Sequence, residues 1–173
     1  MLLTFTDRHS GTPVEYMTWG LPKIDAGTYA EMGDMVVLGG YPSAGKTALA
    51  VSMAYHQAKN KRVGFYSLET NQYKLADRLM ANLAGIEMPT IKRNEITGEQ
   101  WQRVRKLELV EASGMSAQDI QADSLAHRYE IVYIDYLQLI EPETRRVNRT
   151  EQVSAISRDL QKLAHGTGRL VVA

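Results

Sequence analysis

Gly40-Tyr41-Pro42-Ser43-Ala44-Gly45-Lys46-Thr47 follows the apolar run Met35–Leu38 and matches the G-x-x-x-x-G-K-T pattern of phosphate-binding loops. Such loops connect a strand to a helix, and both flanking segments have the required character. Glycine at both ends permits torsions and close backbone approach that a Cβ would prevent. Successive N–H groups can then face phosphate oxygens at the positive end of the helix. The pattern therefore predicts a nucleotide site, with an ordinary glycine-rich turn as the alternative.

Two side chains of the loop have specific predicted roles. We expect Lys46 to bring its charge to the β- and γ-phosphates and Thr47 to place its hydroxyl on Mg²⁺. The predicted cofactors are therefore ATP and Mg²⁺. The residues expected to bind the nucleotide are Gly40, Ser43, Ala44, Gly45, Lys46, Thr47 and Ala48.

Bulk composition narrows the class of protein. The chain has 173 residues, of which 44% are hydrophobic and 23% charged, and this suits one domain with a substantial core. No apolar run approaches the ~20 residues of a membrane span, so no membrane partner is expected. The absence of cysteine excludes disulfides and thiolate metal sites, and it favours a cytoplasmic location. Lys plus Arg and Asp plus Glu both number 20, which excludes a globally basic nucleic-acid binder but leaves local basic loops open.

Apolar runs and amphipathic segments alternate along the chain. This alternation predicts an α/β fold with a mostly parallel sheet flanked by helices. Residues 1–17 are expected to be a lead-in and residues 18–173 one ATPase domain, in which residues 88–94 form a loop. Strands are predicted at Met35–Leu38, Val63–Leu68, Leu107–Val110, Ile131–Asp135 and Leu170–Ala173, and helix caps at Thr97, Ser116 and Asn148.

Two acidic residues directly follow predicted strands. Ligands of open α/β sheets bind outside the carboxyl ends of the strands, where the phosphate-binding loop also lies. Asp135 therefore fits the acid that holds Mg²⁺, directly or through water. Glu69 fits the general base that polarises the attacking water. The alternative for each acid is a helix N-cap or a solvated turn residue.

Polar side chains that follow the predicted strand Ile131–Asp135 have two interpretations each. Gln138 contacts the γ-phosphate or relays its state to a DNA-binding loop, unless it is simply satisfied by the backbone. Arg145, Arg146 and Arg149 form a small basic loop that could contact a nucleic-acid backbone. The alternative is a solvated charge run.

Taken together, these motifs resemble the RecA-like motor domain of bacterial replicative DNA helicases, the DnaB family. The resemblance runs from about Trp19 to the last residue. The Asp-Tyr-Leu-Gln-Leu run within Ile134–Leu139 is far more specific than the phosphate-binding loop, which many unrelated NTPases share. The other matching stretches are Gly40–Ala50, Tyr66–Glu69 and Val153–Ala164.

The resemblance implies a RecA-like fold in which Lys46 and Thr47 bind phosphate and Mg²⁺. It implies that Asp135 is the Walker-B aspartate and Glu69 the catalytic glutamate. Domains of this family form hexameric rings around single-stranded DNA and hydrolyse nucleotide at subunit interfaces, with an arginine from the neighbouring subunit. Primase and a helicase loader are further partners that the resemblance suggests.

The sequence also departs from the family pattern. The family's N-terminal helical domain, the finger arginine and the second DNA-binding loop are not found in it. We therefore expect this chain to bind nucleotide far better than it hydrolyses it. Two alternatives to a helicase motor remain. One is a recombinase-type or clock-type ATPase, which would be expected to lack the Asp-Tyr-Leu-Gln-Leu run, and the other is a loader-like or scaffold module with little or no turnover.

Overall fold

The computed structural model describes residues 14–69, 71–82, 85–104, 107–141 and 148–173. Within these ranges, the strands form one sheet in which every pair of neighbours is parallel. From edge to edge the strands are β1 (Met35–Val36), β5 (Leu170–Val172), β4 (Ile131–Asp135), β2 (Val63–Ser67) and β3 (Leu107–Glu111). This confirms the predicted parallel sheet.

Helices connect the strands. In chain order they are α1 (Pro22–Asp25), α2 (Lys46–Gln57), α3 (Gln72–Asn82), α4 (Met88–Lys92), α5 (Gly98–Val104), α6 (Ala117–Ala126) and α7 (Arg149–Thr167). A 3₁₀ turn spans Leu137–Leu139. Among the described helices, none is both long enough and apolar enough to cross a bilayer.

The core lies on both faces of the sheet, because β2 and β4 are interior strands that are buried along their whole length. Alternate side chains of a strand point to opposite faces. Phe65 and Tyr133 therefore pack on the face covered by α2 and α3, with their rings stacked 5.8 Å apart. Tyr66 and Ile134 pack on the other face with α6 and α7. Helices on both faces explain why the sequence of these strands is apolar without alternation.

Parallel strands bring the predicted site residues to one edge of the sheet. Glu69 lies two residues beyond the end of β2, and Ser67 pairs with Asp135 at the end of β4. The Leu68 N–H donates a 2.9 Å hydrogen bond to the Asp135 carbonyl, which holds the two strand ends level. The phosphate-binding loop leaves the same end of β1.

Three predicted helix caps are present. The Asn148 side chain accepts a 2.9 Å hydrogen bond from the Glu151 N–H at the start of α7. The Ser116 hydroxyl oxygen accepts one of 3.2 Å from the Asp119 N–H, and the Asp119 carboxylate accepts one of 2.9 Å from the Ser116 N–H, which completes a capping box. The hydroxyl oxygen of Thr97 caps α5 in the same way.

Two local predictions were wrong. Residues 88–94 were expected to form a loop, but Met88–Lys92 is helical, because Pro89 lies in the first turn where its fixed φ suits a helix. Strand β1 ends at Val36 rather than Leu38. Val37 is 64% exposed at the edge of the sheet, although the Leu38 N–H still donates a 2.8 Å hydrogen bond to the Ala173 carbonyl.

Candidate nucleotide-binding site

The phosphate-binding loop joins β1 to the first residue of α2. Gly45 is the N-cap of α2 and has φ +90°, a left-handed conformation that disfavours any side chain. Ser43 has φ 62°, and the Ala44 N–H donates a 3.2 Å hydrogen bond to the Tyr41 carbonyl. The loop is thus folded tightly against the N-terminus of α2, the arrangement that anion binding requires.

The Lys46 ammonium lies across this loop. Its Nζ donates hydrogen bonds of 3.0 Å to the carbonyls of both Gly40 and Tyr41. The side chain is half-buried, whereas the loop residues before it are exposed. The charge is therefore held beside backbone groups that remain open to a ligand.

Asp135 is the buried acid of the site, with 7% of its surface exposed. The Thr47 side chain lies beside its carboxylate, so the first turn of α2 adjoins the end of β4. Burial raises the pKa of Asp135, and the nearby Glu69 carboxylate raises it further. The Thr47 side chain and the Lys46 ammonium act in the opposite direction. These four side chains are therefore close enough to interact electrostatically.

A single cavity of about 750 Å³ connects these residues. This volume lies within the range of ~300–1,000 Å³ that is typical of small-molecule sites. Its walls come from the loop, from the ends of β2 and β4, from the 3₁₀ turn, and from α3 and α7. The predicted site residues that line it are Gly40, Ser43, Gly45, Lys46, Thr47, Ala48, Glu69, Asp135 and Gln138. Ala44 belongs to the loop but is not on the cavity wall.

The predicted basic loop divides into two parts. Arg145 and Arg146 lie outside the described residues. Arg149 opens α7, and its guanidinium donates to the backbone carbonyl of Gln138 and, at 3.3 Å, to the Gln152 side chain. Arg149 therefore connects α7 to the 3₁₀ turn on the cavity wall.

The sequence did not indicate the part of the wall that comes from α3 and α7. Val153 and Ser157 reach it from α7 and Arg78 from α3. The apolar stripe of α3, formed by Leu75 and Leu79 four residues apart, marks only its core face, where both are buried. Arg78 lies beside that stripe, but nothing in the sequence distinguishes it from other exposed arginines.

The residues fit Mg²⁺ bound together with phosphate. Asp135 Oδ2 is buried and has no hydrogen-bond partner among the described residues, which leaves one hard oxygen ligand unused. The Thr47 hydroxyl adds a second oxygen beside it. Within the described ranges no cluster of three or more His, Cys, Asp or Glu side chains could hold a metal alone. Mg²⁺ commonly uses one or two protein oxygens together with phosphate and water, so this sparse donor set suits it.

The family model and the similar proteins all indicate the same family. Residues 17–173 match the model of the DnaB-like helicase C terminal domain. The chain is 34% identical over 155 residues to a probable plasmid replicative DNA helicase of Chlamydia trachomatis serovar L2. This alignment covers 81% of this chain and 34% of that protein. The chain is 32% identical over 166 residues to the replicative DNA helicase DnaB of Rickettsia bellii, covering 81% of this chain and 33% of that protein. The chain thus spans about a third of the length of these relatives.

Solved structures agree with this family. The ATPase domain of G40P superposes on this chain with a TM-score of 0.78 at 29% identity, and the match covers 92% of this chain and 63% of that one. A DnaB-like replicative helicase, studied with its interactions with primase, superposes with a TM-score of 0.80 at 28% identity. That match covers 98% of this chain and 45% of the other. These superpositions confirm the predicted RecA-like fold.

Proposed function

Because the chain belongs to the family of DnaB-like helicase C-terminal domains, we propose that it is the ATP-binding motor part of a replicative-type DNA helicase. In this proposal the cavity binds Mg·ATP, and hydrolysis drives movement on single-stranded DNA when subunits assemble into a ring.

One observation carries the proposal. Lys46, Thr47, Glu69 and Asp135 come from three separate segments of the sequence and meet at one cavity. A structural role for the acids would not require them to face the loop. Asp135, moreover, is buried beside Glu69, and this arrangement raises its pKa and therefore destabilises its charged form. Such an arrangement is typical of a site that receives a cation.

Each residue has a proposed part in ATP hydrolysis. Lys46 and the loop N–H groups bind the phosphates, and Thr47 and Asp135 hold Mg²⁺, which neutralises the charge that develops on the phosphate oxygens. Glu69 orients a water molecule and takes its proton while the water oxygen bonds to the γ-phosphorus. The bond from that phosphorus to the β–γ bridging oxygen breaks, and ADP leaves. Gln138, on the cavity wall, contacts the γ-phosphate or relays its presence toward DNA.

Assembly and partners extend the proposal. We propose that the subunits form a hexameric ring and that a neighbouring subunit supplies an arginine to the nucleotide. Arg145 and Arg146 contact single-stranded DNA in this scheme. Primase and a helicase loader are proposed protein partners, and the similarity to a helicase studied with primase supports the first of these.

The proposal is tested by measuring ATP turnover with and without single-stranded DNA, in the wild type and in Lys46→Ala. We expect turnover that DNA stimulates and that the variant abolishes, because its ammonium is lost from the loop. Lys23→Ala is the matched control, since Lys23 is exposed on α1 and does not line the cavity. Tight nucleotide binding without turnover in any oligomeric state would instead support the loader-like alternative. No nucleotide binding at all would overturn both.

A further inference from the structure

Arg78 is a cation on the cavity wall to which the preceding scheme gives no role. It lies on α3, the helix that follows β2 and Glu69. Leu75 and Leu79 of the same helix are buried in the core, at 1% and 3% exposure, and so fix the rotation of α3. Arg78, between them in sequence, is exposed and lines the same cavity as Glu69. Its position is therefore set by packing.

The order of the strands shows which end of a bound nucleotide Arg78 would face. The phosphate-binding loop follows β1 at the edge of the sheet, Asp135 ends the central strand β4, and Glu69 follows β2 beyond it. The triphosphate therefore extends from the loop toward Asp135, which lies beside Thr47. Arg78 comes from the β2 side, beyond Asp135, which is the side of the terminal phosphate.

Arg78 is also available for a ligand. Other arginines of the domain are neutralised, since Arg62 pairs with Glu108 at 3.6 Å and Arg93 with Glu95 at 2.8 Å. No ion pair involves Arg78 within the described part of the chain. A guanidinium presents a rigid fork of donors that matches two oxygens of one phosphate group.

We propose that Arg78 binds the γ-phosphate from the β2 side of the cavity and makes the site prefer ATP to ADP. This inference rests on the proposed nucleotide site. Lys46 keeps its contact with the β-phosphate, which ATP and ADP share, whereas the Arg78 contact exists only while the γ-phosphate is present. Arg78 is thus a specificity-determining residue that distinguishes the nucleotide before hydrolysis from the product.

The test is the affinity of the purified chain for Mg·ATP and Mg·ADP, measured by calorimetry in the wild type, Arg78→Ala and Arg78→Lys. A charge-assisted contact predicts that Arg78→Ala weakens ATP binding about tenfold or more, which is about 1.4 kcal/mol, and changes ADP binding less than about twofold. Arg78→Lys keeps the charge and loses the fork, so it should retain part of the preference. Because Arg78 is exposed, both variants should unfold at the wild-type urea concentration.

Lys74→Ala is the matched control, because Lys74 is an exposed cation one turn earlier on α3 that does not line the cavity. Its nucleotide affinities should equal those of the wild type. The inference would be overturned if Arg78→Ala lost ATP and ADP affinity equally, or if it lost neither. It would also be overturned if Lys74→Ala lost as much ATP affinity as Arg78→Ala. A wild-type chain that binds neither nucleotide would overturn the proposed function itself, so the two failures are distinguishable.

Discussion

The Thr47 side chain in the first turn of α2 lies beside the Asp135 carboxylate at the end of β4. The Oδ2 atom of this carboxylate is buried and has no partner among the described residues. Burial raises the pKa of Asp135, which means that its ionised form is less favourable in the folded chain than in water. The acid therefore reduces stability at neutral pH, and a bound cation would relieve that cost.

Asp135→Asn should make the protein more stable and unable to use Mg²⁺. Because the pKa is raised in the folded state, stability from this group is present below the ordinary carboxyl pKa and is lost as pH rises through the folded value. Removing the charge should therefore increase the free energy of unfolding by about 1 kcal/mol near pH 7. The gain should shrink as the pH is lowered toward about 4. Urea unfolding over this range measures it, beside calorimetry of nucleotide binding with and without Mg²⁺.

Glu87→Gln provides the control for this prediction. Glu87 is an exposed acid before α4 whose side chain makes no capping hydrogen bond. Its replacement should leave both stability and Mg²⁺-dependent binding unchanged. If Asp135→Asn lowered stability at neutral pH, the carboxylate would instead be a stabilising group of the apo fold.

Gly64→Ala should destabilise the fold through crowding in the interior strand β2. A Cβ on Gly64 would lie 2.4 Å from Cδ2 of Tyr129, whose ring is buried and whose hydroxyl donates a 2.8 Å hydrogen bond to Glu108. The ring cannot move away without breaking that bond. Overpacking of this kind costs about 1–3 kcal/mol of unfolding free energy. Urea unfolding of Gly64→Ala measures the loss. Gly98→Ala is the control, because nothing lies within 4 Å of a Cβ there, and equal effects of the two changes would contradict the packing argument.

Tyr133→Phe should lower stability by removing a buried hydrogen bond. The Tyr133 hydroxyl donates a hydrogen bond of 2.8 Å to Gln57 Oε1, and Gln57 Nε2 donates one of 3.1 Å to the Thr18 carbonyl. Gln57 is only 4% exposed, so its oxygen would be left without a donor at a cost of about 1–3 kcal/mol. Thermal and urea unfolding measure the loss. Tyr73→Phe removes a hydroxyl from a side chain that is 71% exposed and should have no effect.

The sequence predicts those parts of the fold that depend on local pattern. β2 and β4 could be located because both are buried on two faces and therefore consist of continuous apolar residues. Glu69 and Asp135 followed from the strand ends. The strand predicted at Met35–Leu38 is shorter in the structure, and its apolar run does not reveal that β1 is an edge strand.

Other features arise only from tertiary packing. The contact of Gly64 with Tyr129 joins residues 65 positions apart, and no local spacing indicates it. Arg78 is one of many charged residues on helices, and it becomes a candidate ligand only once the core face of α3 fixes its direction toward the cavity. The helix Met88–Lys92 is hard to predict because proline is typical of loops and is also favoured in the first turn of a helix, where Pro89 lies.

Replacement of Arg145 and Arg146 by alanine should flatten the salt dependence of single-stranded DNA binding, whereas Arg149→Ala should not. The slope of log affinity against log salt falls by about 0.7 for each phosphate contact removed from a single strand. Arg149 instead donates to the Gln138 carbonyl and the Gln152 side chain, so its charge is directed toward the cavity wall. Fluorescence anisotropy with a labelled oligonucleotide across several salt concentrations measures the slopes. An unchanged slope in Arg145→Ala/Arg146→Ala would identify these arginines as a solvated charge run, and a flattened slope in Arg149→Ala would show that Arg149 leaves Gln138 to bind DNA.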